Sequence, residues 1–274
     1  MKTVFSISLI ILVTQVLLAQ PMRPEKVSMD TLNNYSLRSG VANSAFGNGE
    51  KLTYRVHYGF VDAGEATIEV NHSKFNFNGR PAWHMIGKGR TLGAFNWFFK
   101  VRDHYETYVD KDGLFPYRFI RDVNEGGYTI EQDYRFNQTK RAVTTQKGDT
   151  FATPASVQDM ISAYYYARTV DYSNAEIGDV FDFTVFMDDE LFPMQIRYLG
   201  TEVIKVRAGK YRCMKFQPVV QEGRVFKSDE DLTVWITDDK NKIPILVKSD
   251  LLVGSIKMEV VEFENLANPI ARVD

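Results

Sequence analysis

The sequence predicts an all-β protein, with a strongly curved antiparallel sheet or an open β-barrel-like meander in two halves and one central α-helix. From Gly49 onward, apolar residues recur at every second position, which places them on one face of half-buried strands. Turn residues such as Asn78-Gly79 separate these segments by short intervals, as in antiparallel meanders. Aromatic residues, which favour strands, are abundant, with 19 Phe, 14 Tyr and 3 Trp.

The N-terminus has the pattern of a secretory signal peptide. Lys2 gives a positive start, residues 4–18 are mostly apolar, and the small Ala19 lies where a signal peptidase would cut. The apolar run is shorter than the ~20 residues that span a bilayer. We expect a signal peptide over residues 1–19, an exported protein that is periplasmic or envelope-associated, and no transmembrane segment after cleavage. The alternative is an uncleaved membrane anchor.

After this segment, composition divides the chain into three parts. Residues 20–48 are polar and contain prolines and glycines, which predicts a flexible lead-in with some helix near residues 29–37. Residues 49–266 form the single β-rich domain, and residues 267–274 form a C-terminal tail. In the first half of the domain, alternation predicts strands at residues 52–58, 65–70, 82–88, 101–110, 115–124, 128–137 and 140–147.

One amphipathic helix is predicted between the two runs of strands. Ser156 is the expected N-cap, with Asp159 three residues later as a weaker form of the capping box. Apolar residues from Met160 to Tyr165 then follow at helical spacing, so we expect the helix to pack against the sheet. Strands resume at residues 180–187, 194–199, 202–207, 211–219, 232–237, 243–251 and 255–263.

A series of motifs occurs in an order that resembles a known family. The matching segments are Gly-Glu-Lys-Leu-Thr-Tyr at 49–54, Ala-Gly-Glu-Ala at 63–66, Arg-Asp-His-Tyr-Glu-Thr-Tyr at 102–108, Gln-Asp-Met-Ile-Ser-Ala-Tyr-Tyr-Tyr-Ala-Arg at 158–168 and Val-Trp-Ile-Thr-Asp at 234–238. In these segments the chain resembles a bacterial family of uncharacterised exported proteins, the domain of unknown function family 3108. The resemblance implies a β-rich domain located in the cell envelope. It supplies no catalytic residues.

The densest polar cluster follows one predicted strand. Alternation places Arg102, His104, Glu106 and Tyr108 on the same face. Such a face would bind an anionic head group or move a proton. The alternative is a polar strand surface with cross-strand ion pairs, which is common in sheets.

An aromatic segment precedes this cluster. Phe95, Trp97, Phe98 and Phe99 lie beside Gly93 and offer a large apolar area. Exposed apolar patches mark binding surfaces, so the segment is a candidate cavity mouth or membrane-touching loop. The alternative is an ordinary part of the core, where aromatic residues are frequent.

Several classes of function have no support in the sequence. A net charge of −2 leaves no basic excess for nucleic acid. The four histidines lack metal-ligand spacing, and the single cysteine, Cys213, is expected in the core. Gly87, Gly89 and Gly93 approach a dinucleotide fingerprint, but the third glycine is one residue late and no βαβ unit surrounds it. No cofactor or metal is predicted.

These observations favour a binding or carrier module over an enzyme. The expected ligand is apolar or amphipathic, such as a lipid or an apolar small molecule, held in the space that a curved sheet encloses. The alternative is an envelope structural or assembly protein that binds a protein partner through strand edges. A carboxylate-dependent hydrolase is less favoured, because Asp103 and Glu106 lie on opposite faces of one strand. No catalytic residue is assigned.

Overall fold

The computed structural model describes residues 21–219, 232–250 and 255–274. The predicted signal peptide lies outside the described residues. The strands are β1 (Lys51–Tyr58), β2 (Val61–Phe77), β3 (Arg80–Thr91), β4 (Val101–Asp110), β5 (Pro116–Glu125), β6 (Tyr128–Asn137), β7 (Ala142–Thr144), β8 (Thr150–Ala152), β9 (Val180–Met187), β10 (Glu190–Val206), β11 (Gly209–Pro218), β12 (Leu232–Thr237), β13 (Pro244–Asp250) and β14 (Ser255–Glu264). The helices are α1 (Phe95–Phe98) and α2 (Met160–Thr169), with a 3-10 turn at Met29–Thr31.

These strands form one antiparallel sheet, which confirms the predicted fold class. The order is β8-β7-β6-β5-β4-β3-β2-β1-β14-β13-β12-β11-β10-β9. Each half is therefore a simple meander, and the pairing of β1 with β14 joins the two halves. The predicted turn at Asn78-Gly79 connects β2 to β3, and both residues have the positive φ that a tight hairpin turn requires, 51° and 79°.

The sheet curls until its two ends face each other. Phe186 of β9 lies 5.1 Å from the ring centre of Tyr134 in β6 and 5.7 Å from that of Phe151 in β8. The sheet is not closed, because β8 and β9 do not pair with each other. The concave face encloses the main apolar core, to which α2 also contributes, and two smaller buried clusters lie in the second half of the chain.

Other backbone segments cover the end strands. The amide of Val27 donates to the carbonyl of Thr150, and the amide of Ala152 donates to Glu25, so the N-terminal segment lies along β8. At β9, Gln158 forms a parallel bridge with Val185. Covered strand edges are less available for pairing with another chain.

The N-cap of α2 differs from the predicted one. Ser156 has a φ of 56°, which is not the extended conformation of an N-cap residue, so that prediction was wrong. Asp159 is the N-cap: its carboxylate accepts hydrogen bonds from the amides of Ile161 and Ser162 at 2.8 and 2.9 Å. The Ser162 hydroxyl accepts from the Asp159 amide at 2.8 Å and completes a capping box. The helix starts here because Gln158 is still paired with β9.

Two further strand predictions are corrected. Residues 190–206 form the single strand β10, where the sequence predicts two strands. Gly200, with a φ of 101°, lies in a register shift between Tyr198 and Thr201, which lets the strand bend without ending. The three-residue strand β8 was not predicted, because so short a segment has no measurable periodicity.

Cys213 lies in the core as predicted, and burial raises the pKa of its thiol to about 12. In the part of the chain that the structure describes, neither helix is long and apolar enough to cross a membrane.

Candidate functional site

An apolar cavity lies between α2 and the concave face of the sheet. Its volume is about 170 Å³. The helix contributes Met160, Ile161, Ala163, Tyr164 and Ala167, and the opposite wall comes mainly from apolar side chains of β9 to β14. A dry apolar cavity of about 150 Å³ is enough to bind benzene, whereas pockets for drug-sized ligands start at about 300 Å³. The volume of the cavity therefore suits either a whole small apolar ligand or the apolar part of a larger ligand.

A pair of tyrosine hydroxyls gives the cavity wall a polar but uncharged spot. Tyr54 of β1 and Tyr164 of α2 both line the cavity, and their hydroxyl oxygens are 3.0 Å apart. Burial raises the pKa of Tyr164 to about 12 and that of Tyr54 well above its usual value. Both phenols therefore stay protonated at neutral pH and are available as hydrogen-bonding groups.

Lys242 adds a cation to the same wall. It is half-buried in the turn between β12 and β13 and lines the cavity. Burial lowers the pKa of its ammonium group, while the carboxylates of Asp171 and Asp239 act in the opposite direction. A partly desolvated ammonium gains free energy when an anion approaches it. The cavity is thus lined almost wholly by apolar atoms, and its lining residues include two cations, Lys242 and Arg168, of which Arg168 is paired with Glu50.

A buried ion pair holds α2 above the cavity. Arg168 donates from Nη1 and Nη2 to the two carboxylate oxygens of Glu50 at 2.6 and 2.8 Å, and both side chains are buried. The same guanidinium donates to the carbonyl of Asn241 at 2.9 Å and to that of Ala45 at 3.1 Å. These bonds tie the helix to the lead-in, to the start of β1 and to the turn that carries Lys242. Arg168 therefore positions the helix and uses four of its five N–H donors in these bonds.

The predicted aromatic segment forms α1 and the residue that follows it. Phe95 and Phe99 are half-buried, whereas the side chains of Trp97 and Phe98 are 86% and 67% exposed. Phe99 lies against Gly126, where an added Cβ would come within 2.4 Å of its ring. Trp97 and Phe98 are thus not part of the core, which was the alternative left open by the sequence.

The predicted polar cluster lies on the outer face of the sheet. Glu106 accepts hydrogen bonds from His104 and from His84 of β3, both at 2.7 Å, and Tyr108 stacks on His84 with ring centres 4.5 Å apart. Burial alone would raise the pKa of Glu106, but the two histidine contacts outweigh it and the pKa is lowered. Arg102 donates instead to Asn96 at 2.8 Å. His84 was missed because only the register of β3 and β4 brings it opposite Tyr108.

Neither predicted group lines the cavity under α2. The ligand-binding role of Phe95, Trp97, Phe98, Phe99, Arg102, His104, Glu106 and Tyr108 stays a prediction. Sequence reasoning missed Tyr54, Tyr164 and Lys242, which come from three distant segments. The only signal for them was the wide apolar stripe of α2. Among the described residues, no group of three or more His, Cys, Asp or Glu side chains is arranged to hold a metal ion.

The family model described as a protein of unknown function (DUF3108) matches residues 53–261. The chain belongs to the DUF3108 family. A crystal structure of a β-barrel-like protein of the domain of unknown function DUF1849, from Brucella abortus, is similar to this DUF3108 chain with a TM-score of 0.51 and 10% sequence identity, covering 84% of this chain and 99% of that one. At this identity the similarity shows the fold alone.

Two other solved structures resemble this DUF3108 chain more distantly. A Bacteroides fragilis protein with a YmcC-like fold, predicted to be exported, has a TM-score of 0.33 at 8% identity over 83% of this chain and 100% of its own. A Parabacteroides distasonis protein, predicted to be a lipoprotein, has a TM-score of 0.28 at 10% identity over 84% of this chain and 100% of its own. No curated protein shows significant sequence similarity to the chain.

Proposed function

We propose that this DUF3108 protein is an exported envelope protein that binds an apolar or amphipathic ligand in the cavity under α2. The observation that carries the proposal is the cavity itself, about 170 Å³ of space walled by apolar side chains. The cavity is partly open, and a concave, mainly apolar pocket of this kind is the usual form of a small-molecule site. Ligand binding is the function that fits its apolar lining.

The size of the cavity sets the expected contribution of the apolar part. A cavity of about 150 Å³ takes the six carbons of benzene. Burying about six carbons at about 0.8 kcal/mol each contributes roughly 5 kcal/mol before the entropy of association is subtracted. That corresponds to affinity no better than about millimolar from the apolar contacts alone. Tighter binding needs polar contacts at the wall.

Lys242 and the two tyrosine hydroxyls supply those contacts. A ligand with an acyl or aromatic group in the cavity and an anionic group beside Lys242 would use both kinds of wall. The anionic group would then compensate part of the free energy that burial costs the Lys242 ammonium. We therefore propose an amphipathic anion as the preferred class of ligand.

The first experiment identifies what the protein carries. The protein is purified from the periplasm under native conditions, extracted with organic solvent and analysed by mass spectrometry. We expect a stoichiometric apolar or amphipathic compound, and N-terminal sequencing of the same sample tests cleavage near Ala19. Repeated recovery of an empty protein would weigh strongly against a carrier.

A second experiment tests the cavity directly with two dyes. Anilinonaphthalene sulfonate is an amphipathic anion, and N-phenyl-1-naphthylamine is its apolar counterpart. Ala163→Leu fills the cavity from α2 and should weaken the binding of both dyes at least tenfold. The control is Ala155→Leu, at an exposed site just before α2, which should leave the binding of both dyes unchanged. Lys242→Gln should weaken only the sulfonate. Equal binding by the two alanine variants would show that the dyes bind elsewhere and would contradict the proposal.

The alternative of a protein partner that adds a strand finds less support. The N-terminal segment already occupies the outer edge of β8, and Gln158 occupies part of the edge of β9. Strand addition at either end would require these segments to leave.

A further inference from the structure

Four apolar side chains project together at one end of the sheet. Phe60 and Val61 lie at the turn between β1 and β2, and Trp97 and Phe98 lie in α1, between β3 and β4. We call these four residues the aromatic tip. The turn between β2 and β3 is at the opposite end, so both loops of the tip lie on the same side of the molecule. The Leu92 amide donates to the Ala63 carbonyl at 2.9 Å and ties the two loops together.

The aromatic tip is held in place by its neighbours. Two half-buried rings, Phe95 in α1 and Phe99 just after it, anchor this segment. Phe95 contacts Tyr58 of β1 with ring centres 6.4 Å apart, and Phe99 lies on Gly126. Phe60 is fully exposed. The intervening Trp97 and Phe98 therefore point outward because their neighbours are anchored. A core segment would not display its largest rings in this way.

Basic side chains flank the aromatic tip. Lys88, Lys100 and Arg102 are exposed on β3, before β4 and on β4. In the described part of the chain, none of the three has a carboxylate oxygen within 4.0 Å. Arg102 is held by neutral oxygens, those of Asn96 and of its neighbour Val101.

The acidic groups of this surface offset the three positive charges only in part. Glu65 is already bound by Arg90 at 2.7 Å and by Arg55 at 3.3 Å. Asp122 of β5 is exposed and lies opposite His104, two residue pairs beyond Arg102. It lines one cleft together with Asp103, Lys88 and Arg102. The surface behind the aromatic tip is therefore locally positive, although the whole chain has a net charge of −2.

We propose that the aromatic tip docks the protein on a lipid bilayer that contains anionic lipids. Trp side chains prefer the boundary between head groups and acyl chains, where the apolar ring and the polar N–H are both satisfied. The Phe and Val side chains of the tip would bury apolar area at the same depth. Lys88, Lys100 and Arg102 lie where they would contact lipid phosphates. A second copy of the chain fits less well, because a two-fold contact through this surface would bring the same positive charges together. This docking does not depend on the cavity under α2.

Vesicle sedimentation tests the proposal with the purified protein. One set of vesicles contains phosphatidylglycerol and phosphatidylethanolamine, and the other contains only phosphatidylcholine. We expect the unaltered protein to bind the anionic vesicles. The double variant Phe60→Ser/Trp97→Ser should bind them at least tenfold more weakly, and each of Lys88→Gln, Lys100→Gln and Arg102→Gln about fivefold more weakly. Phe75→Ser is the matched control, because Phe75 is 61% exposed at the opposite end of β2.

Fluorescence locates the contact. Brominated acyl chains should quench the emission of Trp97, and Trp97→Phe should remove the quenched component. Failure of the unaltered protein to bind anionic vesicles would overturn the proposal. Equal vesicle binding by the tip variant and the Phe75 variant would overturn it too, because the contact would then be made by the apolar N-terminal segment. A dimer that the tip variant dissociates, without vesicle binding, would also overturn it in favour of self-association. Dye binding in the cavity should be the same in all these variants, so the two proposals fail separately.

Discussion

Removing the guanidinium of Arg168 should destabilise the protein more than any change in a surface ion pair. Arg168→Met removes the guanidinium but keeps an unbranched side chain and a residue that favours helix. It leaves the Glu50 carboxylate, which is 0% exposed, without its two charged hydrogen bonds. The carbonyls of Ala45 and Asn241 lose their Arg168 donors as well.

The magnitude follows from these four bonds. Breaking a buried ion pair by removing one partner typically costs about 3–5 kcal/mol, because the remaining charge is buried without compensation. About half of that cost should disappear if the Glu50 charge is removed too. We expect the double variant Glu50→Gln/Arg168→Met to be about 2 kcal/mol more stable than Arg168→Met, since a neutral amide is easier to bury than a carboxylate. A loss of about 4 kcal/mol is a large part of the 5–15 kcal/mol typical of folded proteins.

Urea unfolding followed by tryptophan fluorescence and circular dichroism measures both effects. Both single variants and the double variant give a complete cycle for the coupling of Glu50 and Arg168. Arg212→Met is the matched control, because its ion pair with Asp238 is exposed at both ends and should contribute less than about 1 kcal/mol. A cost below about 1 kcal/mol for Arg168→Met, or additive effects in the cycle, would refute the reasoning.

Three further predictions concern stability and the location of the site. Burial raises the pKa of Asp159 from 3.8 to about 6, so the contribution of Asp159 to stability is greatest below pH 3.8 and is lost as the pH rises through 6. Between these values, the free energy of unfolding of the protein relative to that of Asp159→Asn should fall by roughly 1.4 kcal/mol per pH unit. A difference that stays constant with pH would contradict this prediction. Gly113→Ala should cost about 1–3 kcal/mol in urea unfolding, because the new Cβ would lie 2.3 Å from the Phe115 ring, whereas Gly47→Ala, with nothing within 4 Å, should be nearly neutral. Glu106→Gln should lower the free energy of unfolding by about 1 kcal/mol, because its hydrogen bonds with two histidines are weakened, and should leave dye binding unchanged. Weaker dye binding by this variant would place the ligand site on the outer face of the sheet.

Local patterns along the chain are enough to predict the type and order of the main elements. Alternation of apolar residues located β4, β6, β9 and β12 with the bounds that the structure has. This works because the period of a strand and the chemistry of a turn such as Asn78-Gly79 depend on neighbouring residues only. The N-cap of α2 was also encoded locally, in Asp159 and Ser162, but Ser156 offered a competing local signal. Pairing of the preceding residue with β9 decided between them.

The positions of the candidate sites, in contrast, depend on how distant segments pack together. Glu50 and Arg168 are 118 residues apart, and no local pattern links them. His84 meets Glu106 through the register of β3 and β4, and the aromatic tip exists because two hairpin ends lie on the same side. The cavity depends on still more, since it is the space that α2 and strands from both halves of the sheet leave unfilled. Register and unfilled space result from packing summed over the whole chain, which short-range periodicity does not contain.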